Sequence, residues 1–483
     1  MLSRTTTSLF KNVTALSAGQ IASRALAIVY VAALARYVQP EGMGQLGTAQ
    51  SLTALLFLFV NLGFDTFATR DVAQDKSRGT SYLSNLLWIK SALAFLALIV
   101  LAVICHFAHY GSAGEKVILA YGLVTALNAF IAIGNSILRA NERLELEAIF
   151  RLGRDVLNIG LSLLVIALGS TLLQIVWVSA LSNALHWIVV IIALFHLGMA
   201  TPKRPDRPTC LHLMQKGFPF NLAYLSNAVA NQAGPVFLSL LATEAMTGAY
   251  WSAYNLLMVL FVIPSMYSQA VLPVFSKFES ESSERLASSY QKSYKLLTSL
   301  GVPLMAGTIL LAEPMTQLLY GPGYQDSVIA LQILAVNLAL AGNYASGPLL
   351  TALGKQKLLA SLSGVSLLIM AGLYLWLVPL LGIAGASLAY TLPGVVGFVI
   401  SSVICHRLLR LSFPLGMFLR VLGATAWMSV CVYLGQHVGI PFLLLGILVG
   451  PIAYAAVLYL CGGLDESEIN AFKAILKVNK QAA

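Results

Sequence analysis

Apolar runs of about twenty residues or more recur fourteen times along this chain, and no other feature restricts its fold as tightly. Their limits are 13–37, 44–68, 83–107, 117–139, 148–168, 172–196, 217–241, 248–273, 294–315, 328–351, 357–379, 382–405, 417–437 and 440–462. Each is long enough to cross the hydrocarbon of a bilayer as a helix. A chain in lipid must satisfy its own backbone N–H and C=O groups, so it spans as helices or as a closed barrel. The runs are too long for barrel strands, so the expected fold class is an all-α integral membrane protein. Only 10% of the residues are charged, against about 25% in a soluble domain, so the bilayer is the solvent for most of the surface.

Charge fixes the threading. With the N-terminus inside, the inside connections hold 25 of the 29 Lys and Arg residues. Outside connections hold Lys116, Arg36 marks the outer end of the first span, and Arg24 and Lys90 lie within spans. Cytoplasmic loops collect basic residues, so both termini are expected in the cytoplasm. The same asymmetry accounts for the net charge of +10 without invoking nucleic acid. Arg4 and Lys11 ahead of the first run resemble the start of a signal peptide. That run is too long and lacks a cleavage site, so it reads as the first span. The five cysteines are scattered and match no metal or redox spacing.

Two weak internal echoes suggest duplication. Gly44-Gln-Leu-Gly-Thr-Ala-Gln-Ser-Leu52 between spans 1 and 2 aligns with Gly248-Ala-Tyr-Trp-Ser-Ala-Tyr-Asn-Leu256 between spans 7 and 8, at an offset of 204 residues. Ile137-Leu-Arg-Ala and Leu349-Leu-Thr-Ala align at an offset of 212. The expected organisation is an N-terminal six-helix lobe (1–200), a cationic Pro-rich linker (201–213), a C-terminal six-helix lobe (214–410), a terminal helix pair (411–462) and a cytoplasmic tail (463–483). Six is even, so the halves form a parallel repeat, an arrangement that rocks about a central site in secondary transporters. Ser280–Lys295 and the tail after Asp465 read as amphipathic helices on the cytoplasmic face. Pro264, Pro273, Pro314 and Pro393 are candidate kinks.

Polar residues inside a bilayer are costly and mark cavities or helix contacts. Span 1 carries Ser17, Gln20 and Arg24 on one face; span 2 carries Asn61 and Asp65, with Arg70 just beyond; span 3 carries Lys90. Span 4 carries Tyr121, Thr125, Asn128 and Asn135, span 5 Arg151, Arg154, Asp155, Asn158 and Ser162, and span 6 Ser179, Asn183 and His186. In the second half the intramembrane polar residues, among them Asn231, Gln232, Tyr254 and Asn337, are uncharged. A cationic surface suits phosphate, with Arg as a fork and Lys as a point charge. Amides and aromatic rings suit sugars. The candidate binding residues are therefore Arg24, Asp65, Arg70, Lys90, Arg154, Asp155, Asn158, Asn231 and Tyr254. Plainer readings stand beside them: Arg24 pairing with Asp65, Lys90 and Arg151 snorkelling to the interface, and lone amides bridging helices. His186 has no partner at metal-ligand spacing. No nucleophile elbow, zinc motif or phosphate loop occurs. The expectation is a transporter without a cofactor, driven by an H+ or Na+ gradient, the membrane potential or the substrate's own gradient.

Several stretches then resemble a known family. They are Leu34-Ala-Arg-Tyr-Val-Gln-Pro-Glu-Gly-Met-Gly44, Asn61-Leu-Gly-Phe-Asp-Thr-Phe-Ala-Thr-Arg70, Gly248-Ala-Tyr-Trp-Ser-Ala-Tyr254, Val271-Leu-Pro-Val-Phe-Ser-Lys277, Leu319-Tyr-Gly-Pro-Gly-Tyr324, Leu350-Thr-Ala-Leu-Gly-Lys-Gln356 and Leu381-Gly-Ile-Ala-Gly-Ala-Ser-Leu388. In this order the chain resembles the Wzx-type oligosaccharide flippases of the multidrug/oligosaccharidyl-lipid/polysaccharide (MOP) exporter superfamily. The resemblance implies a flippase that moves a polyprenyl-pyrophosphate-linked oligosaccharide across a bacterial inner membrane by alternating access. It also implies a surface-polysaccharide pathway, with polysaccharide polymerase and glycosyltransferases as partners. Many members carry an acid in span 7; here Gly234 stands at that place, which puts a coupling role for the acid in doubt. A lipid II flippase and a cation-coupled drug antiporter are the alternatives within the superfamily, and a membrane-embedded glycosyltransferase or polymerase is the alternative outside it.

Overall fold

A computed structural model describes residues 2–108, 110–199, 203–412, 414–437 and 448–463, with side chains described apart from those of 2–28, 217–224, 227, 436 and 437. The regular structure among them is helical: α1 (Leu2–Asn61), α2 (Phe64–Gln74), α3 (Gly79–Ala108), α4 (Ser112–Ala140), α5 (Leu144–Ala167), α6 (Leu172–His196), α7 (Arg207–Leu241), α8 (Glu244–Leu260), α9 (Val262–Glu281), α10 (Ser283–Tyr320), α11 (Asp326–Ala339), α12 (Asn343–Ala352), α13 (Gln356–Leu408), α14 (Leu415–His437) and α15 (Gly450–Leu460), joined in places by short 3-10 turns.

Eight of the described helices are long and apolar enough to cross a membrane, nine with the bent α8–α9 pair. Two of the eight are too long for one crossing. At 1.5 Å per residue, α1 (60 residues) and α13 (53 residues) would run roughly 80–90 Å, against a hydrocarbon thickness of about 30 Å. Each folds back at one non-helical residue, Gln39 (φ 60°, ψ 176°) ahead of Pro40 in α1 and Gly382 (φ 55°, ψ −126°) in α13. Counted this way, the described helices follow the expected runs in order; residues 440–447 of the last run lie outside the described residues. The α8–α9 span bends by 43° at Phe261. Pro264 supplies the cause: it lacks an N–H and its ring crowds the carbonyl of Leu260 four residues earlier. The next-but-one span is interrupted at Leu340–Gly342 by a 3-10 turn.

The outward faces show what solvates the fold. In α3 the side turned to the protein holds Leu86, Ile89, Lys90, Ala94, Leu101 and Cys105, while Trp88, Phe95, Leu96, Ile99, Val103 and Phe107 are exposed. Both faces are apolar, which is stable only if the outer one meets lipid. The chain is a multi-pass membrane protein.

The chain packs into two compact units. The first comprises Met1–Ser252, Leu319–Gly323 and Ala371–Ala386; the second comprises Ala253–Leu318, Tyr324–Met370 and Ser387–Ala483. The first has a core of Phe64, Val72, Tyr82, Leu83, Ile133, Ile137 and Val190, joining α2, α3, α4 and α6. The second has a core of Val271, Phe275, Tyr290, Tyr294, Ala341, Leu349 and Cys405, joining α9, α10, α12 and α13. In the second unit α14 and α15 pair with each other and meet α10 through Val302, Val421, Ala424 and Leu458.

The repeat motifs meet inside the first unit. A Cβ on Gly44 would fall 1.9 Å from the carbonyl oxygen of Glu244, and one on Gly248 would fall 1.8 Å from that of Pro40. The second limb of α1 and the start of α8 therefore cross backbone against backbone. Gln45 Nε2 also donates to Glu244 Oε2 at 2.9 Å.

Two expectations change. Ser280–Lys295 is no separate interfacial helix: after a break at Ser282 it forms the first turns of α10, and Leu286, Tyr290 and Tyr294 bury their side chains in protein. The linker is partly helical, since α7 starts at Arg207 behind an Asp206 cap. Asp206 Oδ1 accepts from the Thr209 backbone N–H at 2.9 Å, its backbone N–H donates to Asn85 Oδ1 at 2.9 Å, and Asn85 Nδ2 donates to its other oxygen at 3.1 Å. The Thr209 backbone N–H, with smaller help from Thr209, Asn85 and Ser81 side chains, holds the Asp206 carboxyl below the usual carboxylate range. The tail after Asp465 lies outside the described residues.

Candidate functional site

The polar side chains of the first unit fall into two separate groups. In the first, α3 carries Lys90 with its side chain 0% exposed. An ammonium has three protons to place. They go to Asp65 (2.8 and 2.9 Å to its two oxygens), to Asn61 Oδ1 at 3.0 Å and to the Ala129 carbonyl at 3.0 Å. This ties the end of α1, α2, α3 and α4 together in the membrane interior. One expectation is corrected here: Lys90 does not snorkel, because its ammonium is enclosed. Both Asp65 oxygens accept from Lys90; the expected Arg24–Asp65 pair rests on the side chain of Arg24, which is outside the described residues. Arg70 is exposed on α2, away from this pair.

The second group is built on α5. Residues spaced three or four apart share a helix face, and Arg154, Asp155, Asn158 and Ser162 form one stripe. Arg154 donates through one terminal nitrogen to Asp155 Oδ1 at 2.6 Å and through the other to Asn183 Oδ1 of α6 at 3.2 Å. Asn183 in turn donates to the Ser179 carbonyl at 2.8 Å. Tyr30 of α1 reaches Ser162 at 3.4 Å. Tyr121 of α4 and His186 of α6 lie within electrostatic reach of Arg154.

Among the described residues, Arg154 Nε, Asn158 Oδ1 and both ring nitrogens of His186 are buried without a hydrogen-bond partner. His186 is only 6% exposed. An unpaired buried polar atom costs about 1–3 kcal/mol, so these four mark a place that the described residues leave unmatched. The guanidinium is positive, so an anion with several oxygens is the chemical match. Asn183, His186, Tyr30 and Tyr121 join the candidates here. Tyr121, Asn183 and His186 were visible in the sequence as intramembrane polar residues and Tyr30 was not; that they lie near Arg154 was not legible there.

The position of the acid found in many Wzx-type proteins is filled by a ring. A Cβ on Gly234 would fall 2.4 Å from the Tyr250 ring, and Tyr374 stacks on Phe237 at 4.9 Å nearby. Asn231 is half-buried on α7, in the first unit. Tyr254 belongs to the second unit, buried and edge-on to Tyr390 at 5.6 Å.

A family model described as polysaccharide biosynthesis protein matches residues 9–279, more than half of the chain. No curated protein matches significantly. Among solved structures, the chain is similar to the lipid II flippase MurJ in an inward closed conformation, with 15% identity, a TM-score of 0.76, and 92% of this chain and 97% of that one covered. It is similar to an inward-facing multidrug resistance MATE family transporter of the MOP superfamily, with 19% identity, a TM-score of 0.63, and 80% and 96% covered. A MOP superfamily transporter from Pyrococcus furiosus matches with 17% identity, a TM-score of 0.55, and 83% and 97% covered. At these identities the likeness establishes a shared fold.

Proposed function

The chain belongs to the polysaccharide biosynthesis protein family, and from that premise we propose that it is a flippase for a polyprenyl-pyrophosphate-linked oligosaccharide. In this reading the substrate crosses a bacterial inner membrane by alternating access and feeds surface polysaccharide assembly. The observation that carries it is Arg154, a half-buried guanidinium fixed by Asp155 and Asn183, beside polar atoms on Asn158 and His186 that have no hydrogen-bond partner among the described residues. In this reading a pyrophosphate accepts from Arg154 Nε and one His186 N–H, and a sugar hydroxyl donates to Asn158 Oδ1. Arg24 on the first limb of α1 is the proposed second cation, and Asn231 of α7 is the proposed sugar contact. Asp65 and Lys90 act as a helix tie, not as substrate ligands.

The alternative of a cation-coupled drug antiporter is weakened by the same geometry. A cation carrier needs an available carboxylate in the membrane, and Asp65 and Asp155 are each bonded to a protein cation.

The test is a deletion strain complemented with variants, reading surface polysaccharide against membrane abundance of each protein. Arg154→Ala is expected to abolish export, and Arg154→Lys to restore it poorly, because a point charge does not replace the fork. Full export by both Arg24→Ala and Arg154→Ala would overturn the assignment.

A further inference from the structure

We propose that the linker between the two halves is a strap clasped to α3 through Asn85, and that the clasp stays closed while the protein transports. The proposal rests on the alternating-access reading, in which one part of the chain moves against another. A Pro-rich stretch between two six-span halves is the expected place for that motion to be absorbed. The contacts of residues 203–213 place it elsewhere.

Asn85 is fully buried, and both ends of its amide are used. Nδ2 donates to the Ser81 carbonyl at 2.8 Å and to Asp206 Oδ2 at 3.1 Å. Oδ1 accepts from the Asp206 backbone N–H at 2.9 Å and from Cys210 Sγ at 3.0 Å. Ser84, also buried, accepts from the Lys203 backbone N–H at 2.9 Å. Asp206, Cys210 and Leu213 share one face of the first turns of α7, and Leu213 is buried in the core with Tyr82, Leu83 and Leu86. Ahead of the linker, the Met199 carbonyl lies over Gly79, 2.8 Å from where a Cβ would stand. The chain is therefore tied to the start of α3 on both sides of the linker.

A hinge absorbs motion by changing φ and ψ at a few residues that packing leaves free. Here the rings of Pro205 and Pro208 set their own φ, and the backbone N–H groups of Lys203 and Asp206 are bonded to buried side chains. Opening the strap would strand the Asn85 amide in the protein interior, where an unmade hydrogen bond is costly. All of these residues belong to the first compact unit, and the chain first leaves that unit after Ser252, within α8. The strap moves with the first unit, and α7 starts from a fixed point on it.

The test has two arms. In the full-length protein in detergent, hydrogen–deuterium exchange at residues 203–206 is expected to be slow for a loop, and Asn85→Ala to speed it on the order of tenfold. Ser84→Ala, a smaller change, is expected to speed exchange at Lys203 alone. Fast exchange at 203–206 in the parent protein, or no change in either variant, would overturn the clasp. In the complemented deletion strain, Ser84→Cys/Lys203→Cys is crosslinked with dibromobimane, a membrane-permeant reagent that joins neighbouring thiols, and new surface polysaccharide is followed. Each single-cysteine variant is treated alike, which accounts for the native cysteines, Cys210 among them. The crosslinked protein is expected to export as the single-cysteine variants do. Export that falls in step with the crosslinked fraction would overturn the proposal, because the strap would then have to open. If the parent protein restores no polysaccharide, the flippase reading fails, and the exchange arm decides the clasp.

Discussion

Lys90 is the residue whose meaning changed most between sequence and structure. As a lone cation a few positions inside a span, it reads first as a substrate ligand, with a snorkelling side chain as the plainer alternative. The structure spends all three of its protons on Asp65, Asn61 and Ala129. Removing one partner of a buried pair leaves an uncompensated charge, which typically costs about 3–5 kcal/mol, whereas replacing both with apolar residues is near neutral. Asp65→Leu and Lys90→Met are therefore each expected to lower the thermal midpoint sharply in a detergent melt, and the double variant to recover most of the loss. A double variant no more stable than the worse single one would show that the pair is not the tie described here. Arg154 differs because, among the described residues, its donors are only partly used, which is why it is the cation proposed to bind. Neither was legible from residue type, since both are cations in apolar segments.

The helices owe their register to small residues at a few crossings. Gly44 and Gly248 each sit where a Cβ would collide with a backbone carbonyl of the other segment. A backbone oxygen cannot swing aside as a side chain can, so the helices would have to separate. Gly44→Ala and Gly248→Ala are each expected to destabilise by at least about 1–3 kcal/mol, the usual cost of overpacking, read as a lower thermal midpoint. Gly364→Ala, at a helical glycine with open space around it, should be neutral or slightly stabilising, since alanine favours the helix. Alanine variants of Gly44 and Gly248 as stable as Gly364→Ala would remove this crossing as a constraint. Alignment of the two motifs identified the glycines as equivalent. Their direct contact is a tertiary fact, because 204 residues separate them in the chain. Gly234 is similar: the sequence shows a missing acid, while the Tyr250 ring shows what takes the space.

Across the whole chain, hydropathy and charge carry the topology. The described helices follow the expected runs, and the doubled lengths of α1 and α13 resolve at Gln39 and Gly382. The basic residues then orient the threading. Reporter fusions in the Lys203–Asp206 stretch and at the C-terminus are expected to be active only as cytoplasmic reporters. Fusions at Gly111 and Ser170 should be active only as external ones. An external signal from Lys203–Asp206 would overturn the orientation and, with it, the cytoplasmic side assigned to the basic connections.

The sequence by itself determined that this chain is a many-spanning helical membrane protein, how its spans follow one another, and which polar residues lie at membrane depth. It could do so because hydrocarbon thickness and backbone hydrogen bonding act locally, over about twenty residues at a time. Only the tertiary structure decided what those polar residues do. Whether a buried cation is neutralised depends on which carboxylates, amides and carbonyls other helices bring within about 3 Å. The packing of non-adjacent helices sets that distance: it closed the shell around Lys90 and, among the described residues, left Arg154 Nε without a partner.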